Sequence, residues 1–191
     1  AVGCVGAGTG AMSGGIKGGL GTASLVLPSG IVVAAIVAVN SLGSVFDAAT
    51  GRPWEIRLET DGEFGEFGKK SKRLPFQSKG SPGKNTTIGV VATDAGLTKS
   101  QARKIAQMAQ DGLGRAIRPA HTMFDGDTVF CMATGKKDLP ETEGFFTAPH
   151  APAVNDIGNA AADCLSRAII HGVFAAHSMA GMTAFCDLED L

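Results

Sequence analysis

The sequence predicts an α+β fold with a mixed or antiparallel sheet. Two apolar, strand-like runs lie next to each other early in the chain, Ser24 to Leu27 and Ile31 to Asn40. A long stretch of poor apolar periodicity follows, and helical patterns appear only after it. The regular βαβ alternation of a parallel α/β protein is therefore absent. The 191 residues allow one substantial domain or two small ones.

Residues 1–24 are rich in Gly, Ala and Ser. Gly6-Ala7-Gly8-Thr9-Gly10-Ala11 loosely fits the dinucleotide-binding GxGxxG/A pattern, but its context fails. Only five residues precede it, and no acidic residue occurs before Asp47. A tight glycine turn, where backbone meets substrate or another strand, is the better reading. The turn Pro28-Ser29-Gly30 joins the first two strands. Ile31 to Val39 is apolar at every position, the pattern of a strand buried on both faces, and it ends at the polar Asn40.

From residue 47 to 84 the chain turns charged, acidic first (Asp47 to Glu66) and then basic (Lys69 to Lys84). This reads as a long surface excursion with a short strand at Trp54–Leu58. A basic Gly/Pro-containing loop, Lys79 to Lys84, leads into Asn85-Thr86-Thr87 and a third strand, Ile88 to Thr93. Thr98 then offers an N-cap with Gln101 three residues on, a capping box, for a helix through about Ile117. Ile105, Met108, Ala109 and Leu113 share one face of it, and Pro119 stops it. Thr128 to Thr134 is a fourth strand. Ala153 to about His177 is a long helix, with Ile157, Ala161, Cys164, Leu165, Ala168 and Ile169 at helical spacing.

Composition excludes several functions. A net charge of -1 gives no electrostatic case for nucleic acid or an acidic membrane surface. The longest apolar run, Gly30 to Val39, is about ten residues, too short to span a bilayer. Cys4, Cys131, Cys164 and Cys186 form no CxxC pair, which argues against a zinc ribbon or redox motif and for buried free thiols.

Three features carry possible chemistry. Thr86 follows a loop and opens a strand. It is either a plain strand start or a residue that, once cut free, supplies a hydroxyl nucleophile and an α-amine base together. In His121-Thr122-Met123-Phe124-Asp125-Gly126-Asp127-Thr128, two carboxylates flank one Gly directly before a strand. They form an Asx-type turn, a pair that orients or deprotonates a nucleophile, or a metal site with His121 as third ligand. Lys17 is the sole charge in the first 46 residues. It is a surface lysine, which the residues alone favour, or a buried cation with a task. His171, on an apolar helix, reads as a satisfied core histidine, and Ser166 with His171 does not make a triad.

In order and spacing, these pieces resemble the DmpA-type aminopeptidase family and its close relative, the nylon-oligomer hydrolase. The matching segments are the Gly/Ala/Ser-rich run with Lys17, the apolar strand ending in Asn40, Asn85-Thr86-Thr87-Ile88, Ala92-Thr93-Asp94-Ala95-Gly96-Leu97, and His121 through Thr128. The resemblance implies a four-layer αββα sandwich and a single catalytic domain over residues 1–191. It also implies self-cleavage between Asn85 and Thr86. Residues 1–85 then form the C-terminal part of one piece, and residues 86–191 form the other. Thr86 becomes the nucleophile, passing through an acyl-enzyme. Asp125 and Asp127 match the nylon-oligomer hydrolase pattern, where the aminopeptidase branch carries Ser and Glu. Lys17 and Asn40 match active-site positions, Asn40 at the oxyanion. No cofactor and no metal are implied. Small peptides or amides are the substrates, the cleaved fragment is a partner, and a cytoplasmic homo-oligomer, a tetramer of cleaved units, is the assembly. Full-length members carry a preceding segment with a Tyr that donates to the oxyanion. This chain has no Tyr, so it reads as a fragment of a longer chain, and as a crippled enzyme if that segment is missing. The alternatives are an acyltransferase of the ornithine acetyltransferase kind, a binding domain that keeps the fold, and a metal hydrolase built on His121, Asp125 and Asp127.

Overall fold

A computed structural model of the chain describes residues 1–75, 85–144 and 148–191. The basic loop Lys79 to Lys84 lies outside the described residues. Two short strands, β1 (Met12–Ser13) and β2 (Ile16–Lys17), form a hairpin in the Gly-rich segment. β3 (Leu20–Val26) and β4 (Val32–Ala38) follow, then the small pair β5 (Phe46–Asp47) and β6 (Arg52–Pro53), the short helix α1 (Gly65–Lys69), β7 (Ile88–Ala95), α2 (Lys99–Ala116), β8 (Thr128–Lys137) and α3 (Ala151–Phe174). The main sheet has the order β3-β4-β7-β8. β3, β4 and β7 run antiparallel to their neighbours, whereas β7 and β8 are parallel and joined through α2. The sheet is therefore mixed, as expected.

α2 opens with the capping box read from the sequence: the Thr98 hydroxyl caps the Gln101 N–H, and the Gln101 side chain returns to the Thr98 N–H. Both long helices cover the same face of the sheet. That face carries Ala23, Leu25, Val33, Ala35, Val37, Val91 and Val129, packed on the inner stripe of α3 from Ile157 to Val173. Glycine permits the closest approach. A Cβ on Gly21 would lie 1.9 Å from the Ala168 carbonyl oxygen, and one on Gly19 would lie 2.2 Å from that of Gly172. The Gly-rich segment is thus a place where backbone meets backbone.

Several expectations need correction. β4 is not buried on both faces: Val33, Ala35 and Val37 are buried, but Val32 and Ile36 are exposed. Helices cover only one face, and the other carries a cross-strand apolar row, Ile36–Val90–Phe130, that no described residue covers. Trp54–Leu58 is not a strand. The strand there is β6, followed by a 3-10 turn at Ile56–Leu58, because the Trp54 indole N–H is drawn to the Ser44 carbonyl (3.1 Å) and Arg118 stacks on its ring. Of the four thiols only Cys164 is buried, and burial pushes its pKa up to about 12.

The described part of the 47–84 excursion is anchored rather than wandering. Phe64 and Phe67 join Phe46, Phe174 and Phe185 in an aromatic cluster, with Phe46 stacked on Phe185 at 4.4 Å between centroids. Beside it, Glu63 accepts two hydrogen bonds from Arg167 on α3 (2.6 and 2.7 Å) and faces His171 Nε2 at 2.9 Å. Ser166, on the same helix, donates instead to the Gly112 carbonyl. Burial alone would raise the Glu63 pKa, but the bonds from Arg167 and His171 outweigh it and hold the carboxyl below its usual 4.5.

Removing Glu63 leaves the nearly buried Arg167 guanidinium uncompensated. Glu63→Ala is expected to cost about 3–5 kcal/mol at pH 7, read from urea unfolding. A carboxyl with a lowered folded pKa stabilises above its unfolded pKa, and that contribution vanishes as pH falls through the folded value. The gap between wild type and variant should therefore narrow as the pH falls below the usual carboxyl value of 4.5.

Candidate active site

The parallel β7–β8 ladder continues upstream of both strands. Thr128 N–H donates to the Thr87 carbonyl (3.0 Å), and Gly126 N–H donates to the Asn85 carbonyl (3.1 Å). On the other side, Thr86 N–H donates to the Asn40 carbonyl just past the end of β4, at 2.6 Å. The Asn85–Thr86 peptide is therefore held at both ends, its N–H by the β4 side and its C=O by the β8 side. The Thr86 hydroxyl donates to the same Asn85 oxygen at 2.6 Å. The hydroxyl thus lies beside the carbonyl group of its own preceding peptide.

The two carboxylates bracket this peptide from the β8 side. Asp127, with a side chain only 3% exposed, accepts the Thr87 N–H on Oδ1 (2.9 Å); its Oδ2 accepts the His121 N–H and faces His121 Nδ1 at 2.9 Å. Asp125 accepts the Leu42 N–H on Oδ1 (3.0 Å), while its Oδ2 takes the N–H and hydroxyl of Thr122. The segment Asn40–Leu42 thus reaches the nucleophile candidate with a carbonyl and the acid with an N–H. The bonds of both carboxylates go to groups around Thr86 rather than to its hydroxyl. Their grip is on the backbone around it.

Between the acids, Gly126 has a steric reason to be glycine. A Cβ there would sit 2.9 Å from Thr86 Oγ1. The sequence shows this Gly between the two Asp residues as part of a turn, and its contact with Thr86 appears only in the fold. One of the three readings of this segment makes His121 a metal ligand, whereas the structure pairs it with Asp127 and commits Asp125 to Leu42 and Thr122. Among the described residues no group of three His, Cys, Asp or Glu side chains is arranged to hold a metal ion.

Lys17 is buried, against the surface reading that its residue type favoured. Its ammonium donates to the carbonyls of Gly8 (2.9 Å), Ala11 (2.7 Å) and Gly18 (3.2 Å). Burial lowers its pKa from the usual lysine value, and the neighbouring Cys4 partly offsets this. Lys17 reaches the site through one peptide unit: the Ala11 carbonyl takes the ammonium, while the Met12 N–H of the same peptide donates to Asn40 Oδ1 at 3.1 Å. The structure therefore brings Thr86, Asn85, Asn40, Asp125 and Asp127 together and places Lys17 behind Asn40.

A family model, Peptidase family S58, matches residues 1–185. An uncharacterized aminopeptidase of Mycobacterium leprae is 48% identical over 193 residues, covering 98% of this chain and 53% of the relative. A 6-aminohexanoate-oligomer endohydrolase of a Kocuria species is 28% identical over 120 residues, 59% of this chain and 32% of the relative. Among solved structures, a Burkholderia β-aminopeptidase superposes with a TM-score of 0.65 at 29% identity, covering 96% of this chain and 50% of that one. The chain spans about half the length of the curated relatives that it matches over nearly all its residues.

Lys17→Met would strip a charged donor from three carbonyls, each costing about 1–3 kcal/mol if left unpaired and buried, offset in part by the relief of burying no charge. A net loss of about 2–4 kcal/mol in urea unfolding is expected; a loss below 1 kcal/mol would show that the cation does not hold the Gly-rich turn.

Proposed function

The chain belongs to peptidase family S58, and from that premise we propose that it carries the catalytic machinery of a self-cleaving hydrolase of amide and ester bonds, with Thr86 as nucleophile. The observation that carries this is the clamped Asn85–Thr86 peptide, with the Thr86 hydroxyl 2.6 Å from the carbonyl oxygen of the bond to be cut.

In the precursor, Thr86 Oγ1 attacks the Asn85 carbonyl carbon. The Oγ1–C bond forms, the C–N bond breaks, and the hydroxyl proton ends on the departing Thr86 nitrogen. Water then hydrolyses the ester, leaving the Asn85 carboxylate and a Thr86 with a free α-amine. That amine keeps its place against the Asn40 carbonyl and takes the hydroxyl proton in later cycles. The mature Thr86 attacks a substrate amide or ester, releases the amine or alcohol, and is freed from the acyl group by water. Asp127 acts through the Thr87 N–H and so holds the strand that presents Thr86, while Asp125 ties its own turn at Thr122 to Leu42, beside Asn40. Asn40, whose Oδ1 accepts the Met12 N–H, is the side chain assigned to the oxyanion, and Lys17 holds the peptide that engages it. The substrates are small peptides or amides in the manner of aminopeptidases, and the Asp pair points toward the amidase branch. The working form is a cytoplasmic oligomer of cleaved units.

Denatured mass tests this. Wild type is expected as two pieces, one ending at Asn85 and one starting at Thr86, and Thr86→Ala as one intact chain. Intact wild type would end the proposal. Asp127→Asn keeps the shape but weakens the hold on Thr87 and His121. Its cleavage half-time should lengthen about 10²-fold or more, by analogy with loss of an orienting acid elsewhere.

A further inference from the structure

Resting on the Thr86 reading, we infer that the backbone N–H of Gly126 is an oxyanion donor, used first in self-cleavage and again in turnover. It already points at the Asn85 carbonyl oxygen, 3.1 Å away. When Thr86 Oγ1 adds to that carbonyl, the C=O electron pair moves onto this oxygen, and the donor meets the charge without reorganising.

The N–H is held from both sides. The next rung, Thr128 N–H to the Thr87 carbonyl, fixes the strand on one side. The residues before and after Gly126 are each pinned by their own carboxylates, Asp125 to Leu42 and Thr122, and Asp127 to Thr87 and His121. The acid pair therefore has a second task, to immobilise the peptide between them. The absent side chain completes the device. With a Cβ only 2.9 Å from Thr86 Oγ1, any other residue at 126 would press on the nucleophile beside the donor it needs.

Cleavage removes the Asn85 carbonyl from Gly126 and leaves the donor fixed to β8. A substrate carbonyl then takes the vacated place, and its acyl residue lies along the track of Asn85, extended beside Asp125 as in the parallel bridge of the precursor. The same N–H serves an intramolecular substrate once and external ones thereafter. The electron count is the same each time: Oγ1–C forms, the pair on oxygen is stabilised by Gly126, the carbonyl reforms as the C–N or C–O bond breaks, and the leaving group takes the proton.

The test removes this hydrogen alone. Gly126 is replaced in the chain by glycolic acid, which converts one amide to an ester and adds no side chain. The matched control replaces Thr128 by its α-hydroxy counterpart, which removes the neighbouring rung of the same ladder. Cleavage is followed by denatured mass, with wild type and Thr86→Ala alongside. The inference expects about 10²-fold slower cleavage or worse for the Gly126 ester and less than 10-fold for the Thr128 ester. In material that does mature, kcat on an amino-acid p-nitroanilide should fall with KM little changed. Equal slowing at both positions would reduce Gly126 to a structural rung and overturn the inference, as would an unchanged rate at 126. Failure of wild type itself to cleave overturns the Thr86 reading and this one with it, and is distinguishable because no variant is needed to see it.

Discussion

The structure turns on one peptide bond whose two ends are hydrogen-bonded to different neighbours. The Asn85–Thr86 N–H is given to the Asn40 carbonyl and its C=O receives the Gly126 N–H. This requires a strand flanked on both sides, and β7 is flanked, by β4 antiparallel and β8 parallel. A strand at the sheet edge would hold one end of the peptide and leave the other in solvent. The crossover through α2 therefore matters for the site as well as the core, since it returns the chain so that the Asp125–Asp127 turn arrives level with Asn85.

Each remaining part of the site is held from behind by a contact in the fold. The Asn40–Leu42 turn rests on the Gly-rich hairpin, where the hydroxyls of Ser13 and Ser41 share a buried hydrogen bond of 2.8 Å. The hairpin is organised by the Lys17 ammonium. The α3 helix that supports the sheet is in turn tied to residues 63–67 by the Glu63–Arg167–His171 group and by the phenylalanine cluster. Buried ionic groups of this kind add little net stability compared with apolar packing, but losing one member is costly.

The open face of the sheet follows from the same layering. Ile36, Val90 and Phe130 line up across three strands with no described residue above them. In a four-layer αββα sandwich this is the face on which a second sheet packs, about 10 Å away. Alternation places Thr86 on the same side as Ile88 and Val90, so the hydroxyl opens toward the space between such sheets rather than toward the helices.

The sequence by itself determined the local elements and the reactive alphabet. The capping box at Thr98, the apolar stripe of α3, the strand that begins after Thr86 and the Asp-Gly-Asp turn all depend on neighbours within a few residues, and such signals survive in a linear string. The pairing of distant groups was decided only in three dimensions. Glu63 meets Arg167 across 104 positions, and Lys17 meets carbonyls whose backbone carries no side-chain signature. β4 looked buried on both faces because apolar composition cannot count the layers above it. The role of Gly126 was hidden for a related reason: what matters there is a missing atom and a backbone N–H. The glycine is visible in the sequence, but the contact that requires it exists only once Thr86 is folded against it.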